Sequence, residues 1–522
     1  MTSNRGSEHR RRVIARYVEA LHSFGALTVA GRSLRDRMRV GEVDFWASSL
    51  LRESSPWRAG LFDRLETLQQ GCRVEVEHRV LRSSRFRLRL RSLVYFAFSL
   101  GVSSFNKSEA IKGDVIFIVY LSAAGKEVVD RDLLQRYFGK LPDLIASMGL
   151  QPAVLFLPSD SPVARMNVAE RRTESQMQRT MSSPTLTAFV RPRAVAAAFR
   201  SWLRLQLAIP RPQVIEESVA DSSDLELIMP MLRSDLDESI CGPASARVAL
   251  LDAGFDAALS TASDVRLLVY PFEGQGWEAS LEAVCRRLKI PAIAYLHTIM
   301  KPWDVRAHTA MREATPAVVA THGPHDRDEL EAFGSSSVSV EALRYAYLRP
   351  GDDHGRLRIN SIPDGTPLKL LIVLGSDCET SSEQLKSMVS ELGIRASGWS
   401  VMVKPHAQCS LGSSAHDGYT AFSGSLAEAL QDSQAVFLCG TAAPLDSYLF
   451  GLPTAMLRGQ RGYSMNLLEP DDTFFIGDTV GEVVDWIEST VGRISRKPDP
   501  SPFFDLNPQL VKWRRIIEAA LV

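Results

Sequence analysis

The stretch Val401-Met402-Val403-Lys404-Pro405-His406 is paired downstream with Ala435-Val436-Phe437-Leu438-Cys439-Gly440-Thr441-Ala442-Ala443-Pro444. Each reads as a buried strand running into a polar turn, and the second turn opens a helix. Continuous apolar runs of this kind are strands covered on both faces, the habit of parallel sheets in α/β domains. In such sheets ligands gather at the carboxyl ends of the strands. Lys404 and His406 can both donate to a phosphate, and Pro405 stiffens the turn between them. Gly440, Thr441 and Ala442 stand at a helix start, where exposed N–H groups and the helix dipole attract anions. Together the two turns predict an anion site, and a nucleotide is the expected anion.

The same rhythm continues on either side. Downstream of a Pro- and Gly-rich stretch, residues 349–366, Lys369-Leu370-Leu371-Ile372-Val373-Leu374 is a strand that leads to Gly375-Ser376-Asp377. Ser376 is placed to cap the next helix or to contact a phosphate. Upstream, Asp114–Leu121, Ala153–Leu157, Arg266–Tyr270, Pro291–Leu296 and Ala317–Ala320 are further buried strands, with helices expected between them. Three of these run into polar residues: Glu273 in a Gly-rich turn, then His297, then Thr321-His322-Gly323.

The predicted organisation is a helical N-terminal region (1–108), a first Rossmann-like domain (109–348), a linker (349–366), a second Rossmann-like domain (367–500) and a C-terminal helix (501–522) that returns to the first domain. A chain of 522 residues is too long for one core. It is 45% hydrophobic and 23% charged with a formal net charge of −1, so nothing global points to nucleic acid. Its six cysteines form no C-x-x-C pair, which argues against a zinc site or a disulfide framework. No metal set, Walker loop or G-x-G-x-x-G pattern is present, and no cofactor is expected. The Arg-rich start lacks the apolar core of a secretory signal, and no apolar run of about 18 residues occurs, so a cytoplasmic location is expected.

Two Arg-rich regions stand apart, residues 79–91 and a patch within 185–219. Residues 79–91 carry six arginines before Leu93-Val94-Tyr95-Phe96-Ala97-Phe98. Their alternation fits a strand or a basic helix. One reading is peripheral contact with an anionic membrane surface, at the inner face of the cytoplasmic membrane. The other is a solvated basic face beside a buried helix.

Glu273 is the preferred general base, with His297 a second candidate and Asp235 an acid candidate in Arg233-Ser234-Asp235-Leu236-Asp237-Glu238. Glu278 reads as a helix N-terminal acid. Arg344 is a candidate for bidentate recognition of a carboxylate.

Several stretches bear a likeness to a known family: Asp44-Phe45-Trp46-Ala47-Ser48-Ser49, Tyr270-Pro271-Phe272-Glu273-Gly274-Gln275-Gly276-Trp277-Glu278, Val340-Glu341-Ala342-Leu343-Arg344-Tyr345 and Val403-Lys404-Pro405-His406. Together they resemble bacterial surface carbohydrate biosynthesis proteins (O-antigen and capsule) related to the GT-B glycosyltransferases that use CMP-activated acidic sugars, such as the Kdo transferases and polysialyltransferases. The resemblance implies a GT-B-like α/β fold of two Rossmann-like domains facing a cleft. It also implies a nucleotide-sugar donor as substrate and a glycan or lipid-linked glycan as acceptor. In those transferases a His-Pro motif and a Ser/Thr-rich helix start hold the CMP moiety. Here Ala407 follows His406, and Gly440-Thr441-Ala442-Ala443 carries a single hydroxyl, so the donor nucleotide is the point of departure. A UDP-sugar epimerase of the same architecture and a non-catalytic polysaccharide-assembly protein are the rival expectations.

Overall fold

The computed structural model describes residues 15, 18–29, 31–50, 85–103, 110–120, 134–135, 137–157, 183–209, 215, 236–262, 264–300, 318–332, 334–348, 367–375, 378–394, 398–406, 418–439, 444–457, 468, 470–492 and 498–522. The chain divides into two compact units. One comprises residues 1–344 with 507–522, and the other residues 345–506.

The first unit opens with a helix over 18–26 and then two short antiparallel hairpins, β1 (Thr28–Val29) with β2 (Arg32–Ser33) and β3 (Arg39–Val40) with β4 (Val43–Asp44). Helix still dominates the described residues of this stretch, with Leu34–Arg37 and Trp46–Leu50 beside 18–26, and the two hairpins interrupt the expected helical N-terminal region. The reason is local: Gly31 (φ +77°) and Gly41 (φ +63°) take the left-handed conformation that tight turns need and that other residues adopt only with strain. Residues 51–84 lie outside the described residues. Arg85–Ser103 is a helix, which settles the strand-or-helix ambiguity of its alternating arginines.

Six parallel strands follow: β5 (Val115–Tyr120), β6 (Pro152–Leu157), β7 (Leu267–Phe272), β8 (Ala292–Leu296), β9 (Val318–Thr321) and β10 (Ser337–Ser339). Their spatial order is β10-β9-β8-β7-β5-β6. The order reverses between β5 and β7, which makes that step the switch point of this sheet. Alternation along each strand sends Ile116, Ile118, Leu268, Tyr270 and Phe272 to one core, and Val115, Phe117, Val119, Leu267 and Val269 to the other. The second of these cores is completed by the C-terminal helix, Val511–Leu521, through Trp513 and Ile517. The carboxylate of Glu341 caps that helix, accepting from the backbone N–H of Lys512 at 2.9 Å and of Trp513 at 3.2 Å, while Trp513 Nε1 donates to the Glu341 carbonyl.

The second unit holds β11 (Leu368–Leu374), β12 (Trp399–Lys404), β13 (Thr420–Ala421), β14 (Ala435–Cys439), β15 (Thr454–Leu457) and β16 (Phe474–Gly477), all parallel, in the order β13-β12-β11-β14-β15-β16. Numbered along the chain this is 3-2-1-4-5-6, the Rossmann order, with its switch point between β11 and β14. The expected α/β class, with two Rossmann-like domains, is therefore what the chain forms. Strand β16 was not anticipated. Its signal is the run Phe474-Phe475-Ile476 before Thr479, which caps the next helix by accepting from the N–H of Glu482 at 3.2 Å.

Candidate functional site

In the first unit, the carboxyl ends of β7, β8 and β9 bring ionisable and aromatic groups together. Strand β7 ends at Phe272 and turns through Glu273 and Gly274, the latter with φ +68°. The turn is clamped by Glu278, fully buried in the first turn of the helix Gly276–Leu288. Its two carboxylate oxygens accept from the N–H of Glu273 at 2.8 Å and of Gly274 at 3.1 Å. The positive end of the helix dipole favours a carboxylate here, so the chain spends Glu278 on fixing the turn. The carboxylate of Glu273 itself remains one-quarter exposed, 3.8 Å from Nε2 of His297.

His297 stands at the end of β8. Its ring stacks on Tyr137 (4.8 Å between centroids, planes 26° apart). Arg344 Nη1 approaches both the His297 Nε2 (2.9 Å) and the His297 carbonyl (3.0 Å). A guanidinium can only donate, so Nε2 accepts and the ring proton sits on Nδ1. Nδ1 is buried with no hydrogen-bond partner among the described residues. Burial first, then the positive charge of Arg344 and the neighbouring His322, hold the pKa of His297 well below the usual histidine range. This imidazole is neutral at physiological pH.

Behind it lies a second buried set. The Tyr295 hydroxyl accepts from the N–H of Leu343 at 3.1 Å and shares a hydrogen bond with Nδ1 of His322 at 2.9 Å. Burial, followed by the charge of Arg344, lowers the pKa of His322 to about 3, opposed by a hydrogen bond with the His297 backbone. The residues 340–345 thus supply three separate fastenings: Glu341 to the C-terminal helix, the Leu343 N–H to Tyr295, and Arg344 to His297.

In the second unit a side-chain hydroxyl fastens the switch point. Ser381, buried in the helix Cys378–Ile394, accepts from the N–H of Gly375 at 3.1 Å and donates to the carbonyl of Cys439 at 3.2 Å. One hydroxyl therefore ties the end of β11 to the end of β14. Next to β11, strand β12 delivers Lys404, Pro405 and His406, all half-buried. Burial lowers the pKa of His406. The helix Pro444–Phe450 follows β14, and its Asp446 accepts a hydrogen bond from Tyr347.

Of the residues singled out from sequence, Glu273, His297 and Arg344 come together at one sheet edge. Lys404 and His406 leave a strand beside the other sheet's switch point. Asp235, Ser376, Gly440, Thr441 and Ala442 lie outside the described residues. Ser381, Tyr137 and Tyr295 were missed. Ser381 sits mid-sequence in a polar helix start with nothing to distinguish it from Thr380 or Ser382, and the two tyrosines read as core aromatics.

No family model matches the sequence, and no curated protein matches it. Among solved structures, UDP-N-acetylglucosamine 2-epimerase from Rickettsia bellii is 12% identical at a TM-score of 0.40, covering 79% of this chain and 97% of that one. The glycosyltransferase SnogD from Streptomyces nogalater is 11% identical at a TM-score of 0.34, covering 79% of this chain and 100% of that one. MurG from Acinetobacter baumannii is 11% identical at a TM-score of 0.34, covering 72% and 89%.

Proposed function

We propose that the protein is a glycosyltransferase that moves a sugar from a nucleotide-activated donor to a hydroxyl of a surface-polysaccharide glycan or lipid-linked glycan. The observation that carries the reading is the Glu273 carboxylate, part-exposed on a turn fixed by Glu278 and set beside a neutral His297. A carboxylate so placed can take the proton of an acceptor hydroxyl as its oxygen bonds to the anomeric carbon. The anomeric C–O bond to phosphate then breaks, and the electron pair leaves on the phosphate. Lys404, His406, Ser376 and the N–H groups at Gly440, Thr441 and Ala442 are the groups proposed to hold that phosphate. Donor-side positive charge stabilises the leaving group directly.

A UDP-sugar epimerase on the same architecture would need a proton removed from one face of a carbon and returned to the other, hence two acid–base groups. His297 is neutral and accepts from Arg344, which makes it a poor second acid and favours transfer over epimerisation. A CMP-activated acidic sugar is the finer proposal, with Arg344 holding its carboxylate. Because Arg344 already donates to His297, that carboxylate would have to draw a donor away from the ring.

The test is a thermal-shift panel of CMP, UDP, GDP and their sugars, since a ligand that binds the native state raises stability with the logarithm of its concentration over Kd. One nucleotide raising Tm, and turnover only when acceptor is present, is the expected result. Turnover of donor alone to an epimer would replace the transferase with the epimerase. No response to any nucleotide would leave a non-catalytic assembly protein.

A further inference from the structure

The helix Arg85–Ser103 turns an apolar face outward. Leu88, Ser92 and Phe96, spaced four apart, are its buried line. Ser92 donates to the Cys241 carbonyl at 2.8 Å, and Phe96 packs on Phe199 and Trp202. At about 100° per residue, the opposite side is the line of Phe86, Leu90, Ala97 and Gly101, widened by Leu93 and Val94. Phe86 is 74% exposed, Val94 61% and Leu90 51%. The arginines stand on the borders of this stripe: Arg89 on one side, Arg87 and Arg91 on the other, all exposed. The helix Pro192–Ala208 packs alongside, with Phe199 and Trp202 against Phe96 and Gln206 accepting from Arg89, so the two helices run antiparallel. It adds exposed Leu203 and Leu207, the latter 79% exposed, together with exposed Arg193, Arg200 and Arg204. Neither helix contains an Asp or Glu.

An exposed apolar stripe is costly in water, and its flanking arginines fit a surface that is anionic at the level of the polar heads and apolar beneath. Protein partners that complement arginines do so with point carboxylates at fixed places. A stripe bordered on both sides by long basic side chains matches instead a helix lying in the plane of a bilayer interface. We propose that this two-helix face docks the protein on anionic lipid bilayers, with Phe86, Leu90 and Val94 entering the acyl boundary and the arginines on the headgroups. No helix among the described residues is long and apolar enough to cross a membrane, and docking in the interface plane requires none. The inference stands apart from the nucleotide-sugar reading, and its assay contains no nucleotide.

The experiment is co-sedimentation of the full chain with 100-nm vesicles of phosphatidylcholine alone or with about one-third phosphatidylglycerol, a headgroup charge that polybasic faces recognise. Binding to the anionic vesicles and not to the neutral ones is expected, weakening as salt rises. R87S/R91S should weaken it about fivefold per arginine removed, and F86S/L90S/V94S by at least about tenfold. All five positions are solvent-exposed, so circular dichroism and Tm should match wild type. Failure to bind anionic vesicles, or equal binding by both variants, overturns the proposal. A concentration-dependent dimer abolished by F86S/L90S/V94S would assign the face to a second copy instead, and would overturn it as well.

Discussion

The two sheets end in contrasting ways. In the first unit the carboxyl edge is fastened by buried side chains: Glu278 on the Glu273–Gly274 turn, Arg344 on His297, Tyr295 on His322. In the second unit one small hydroxyl, Ser381, joins two strand ends through their backbones, and Lys404 and His406 stand half-buried beside it. Fixed side chains with shifted protonation suit chemistry, because a reacting group must keep its place and charge state. Lys404 and His406 at a strand end are the types of group that suit holding a phosphate, which needs donors and positive charge. Under the proposed function, bond-making chemistry would belong to the first unit and the nucleotide to the second.

The largest effect expected from breaking this contrast is at Glu273. The change Glu273→Gln should lower kcat by about 10²- to 10⁴-fold, the range for a lost general base, while the nucleotide-induced rise in Tm persists. Turnover near the wild-type level would remove Glu273 from the chemistry.

Next is acid stability. His322, and His297 with it, have folded-state pKa values below the unfolded value of 6.5, so the native state favours the neutral ring. As pH falls through 6.5 the unfolded chain takes up protons first, and stability drains away down to the folded-state value, about 3 for His322. At pH 5 His322 should therefore cost about 2 kcal/mol relative to pH 7, with His297 acting in the same direction. Hydrogen exchange over residues 267–300 should speed up at pH 5, after correction for intrinsic rates, and His322→Gln should flatten that response. Equal protection at the two pH values in wild type would refute the buried-neutral assignment.

Ser381→Ala leaves the Gly375 N–H and the Cys439 carbonyl without the hydroxyl between them. A loss of about 1–2 kcal/mol in denaturant unfolding is expected, as for buried polar groups stripped of a partner, together with weaker nucleotide binding. Unchanged stability would mean that the strand ends hold themselves.

The smallest effect is at His406. Burial keeps its pKa low in the unliganded protein, and a bound phosphate would favour the protonated ring. Nucleotide affinity should thus fall as pH rises from 6 to 8, by no more than about tenfold per pH unit for a single proton taken up. Calorimetry in two buffers of different ionisation enthalpy would read the proton directly, and His406→Ala should abolish the uptake. A pH-independent affinity in wild type would place His406 away from the anion.

Much of the architecture was legible because it is written in local pattern. Val115–Tyr120, Ala292–Leu296 and Ala435–Cys439 are unbroken apolar runs rich in β-branched and aromatic residues, the pattern of a strand covered on both faces. Polar residues at strand ends, Glu273 after Leu267–Phe272, His297 after Ala292–Leu296 and Lys404 closing Trp399–Lys404, were readable for the same reason. The 28–44 hairpins were not legible because paired two-residue strands are too short to show a period, and only the left-handed glycines betray the turns. The Arg85–Ser103 alternation fits either period, and packing against the Phe199–Trp202 ridge chose the helix.

The sequence by itself determined the α/β class, the position of most strands and the chemical type of residue at their ends, since burial and backbone preference act over a few residues. Strand order, the partner each polar group takes and the charge state that follows were decided only by the tertiary structure. Glu273 and Glu278 are five residues apart and chemically alike, yet one is spent holding a turn and the other faces His297. Arg344 lies 47 residues from the histidine whose tautomer it sets. Interactions of that kind depend on which strand ends the sheet places side by side, and no local stretch of chain contains that information.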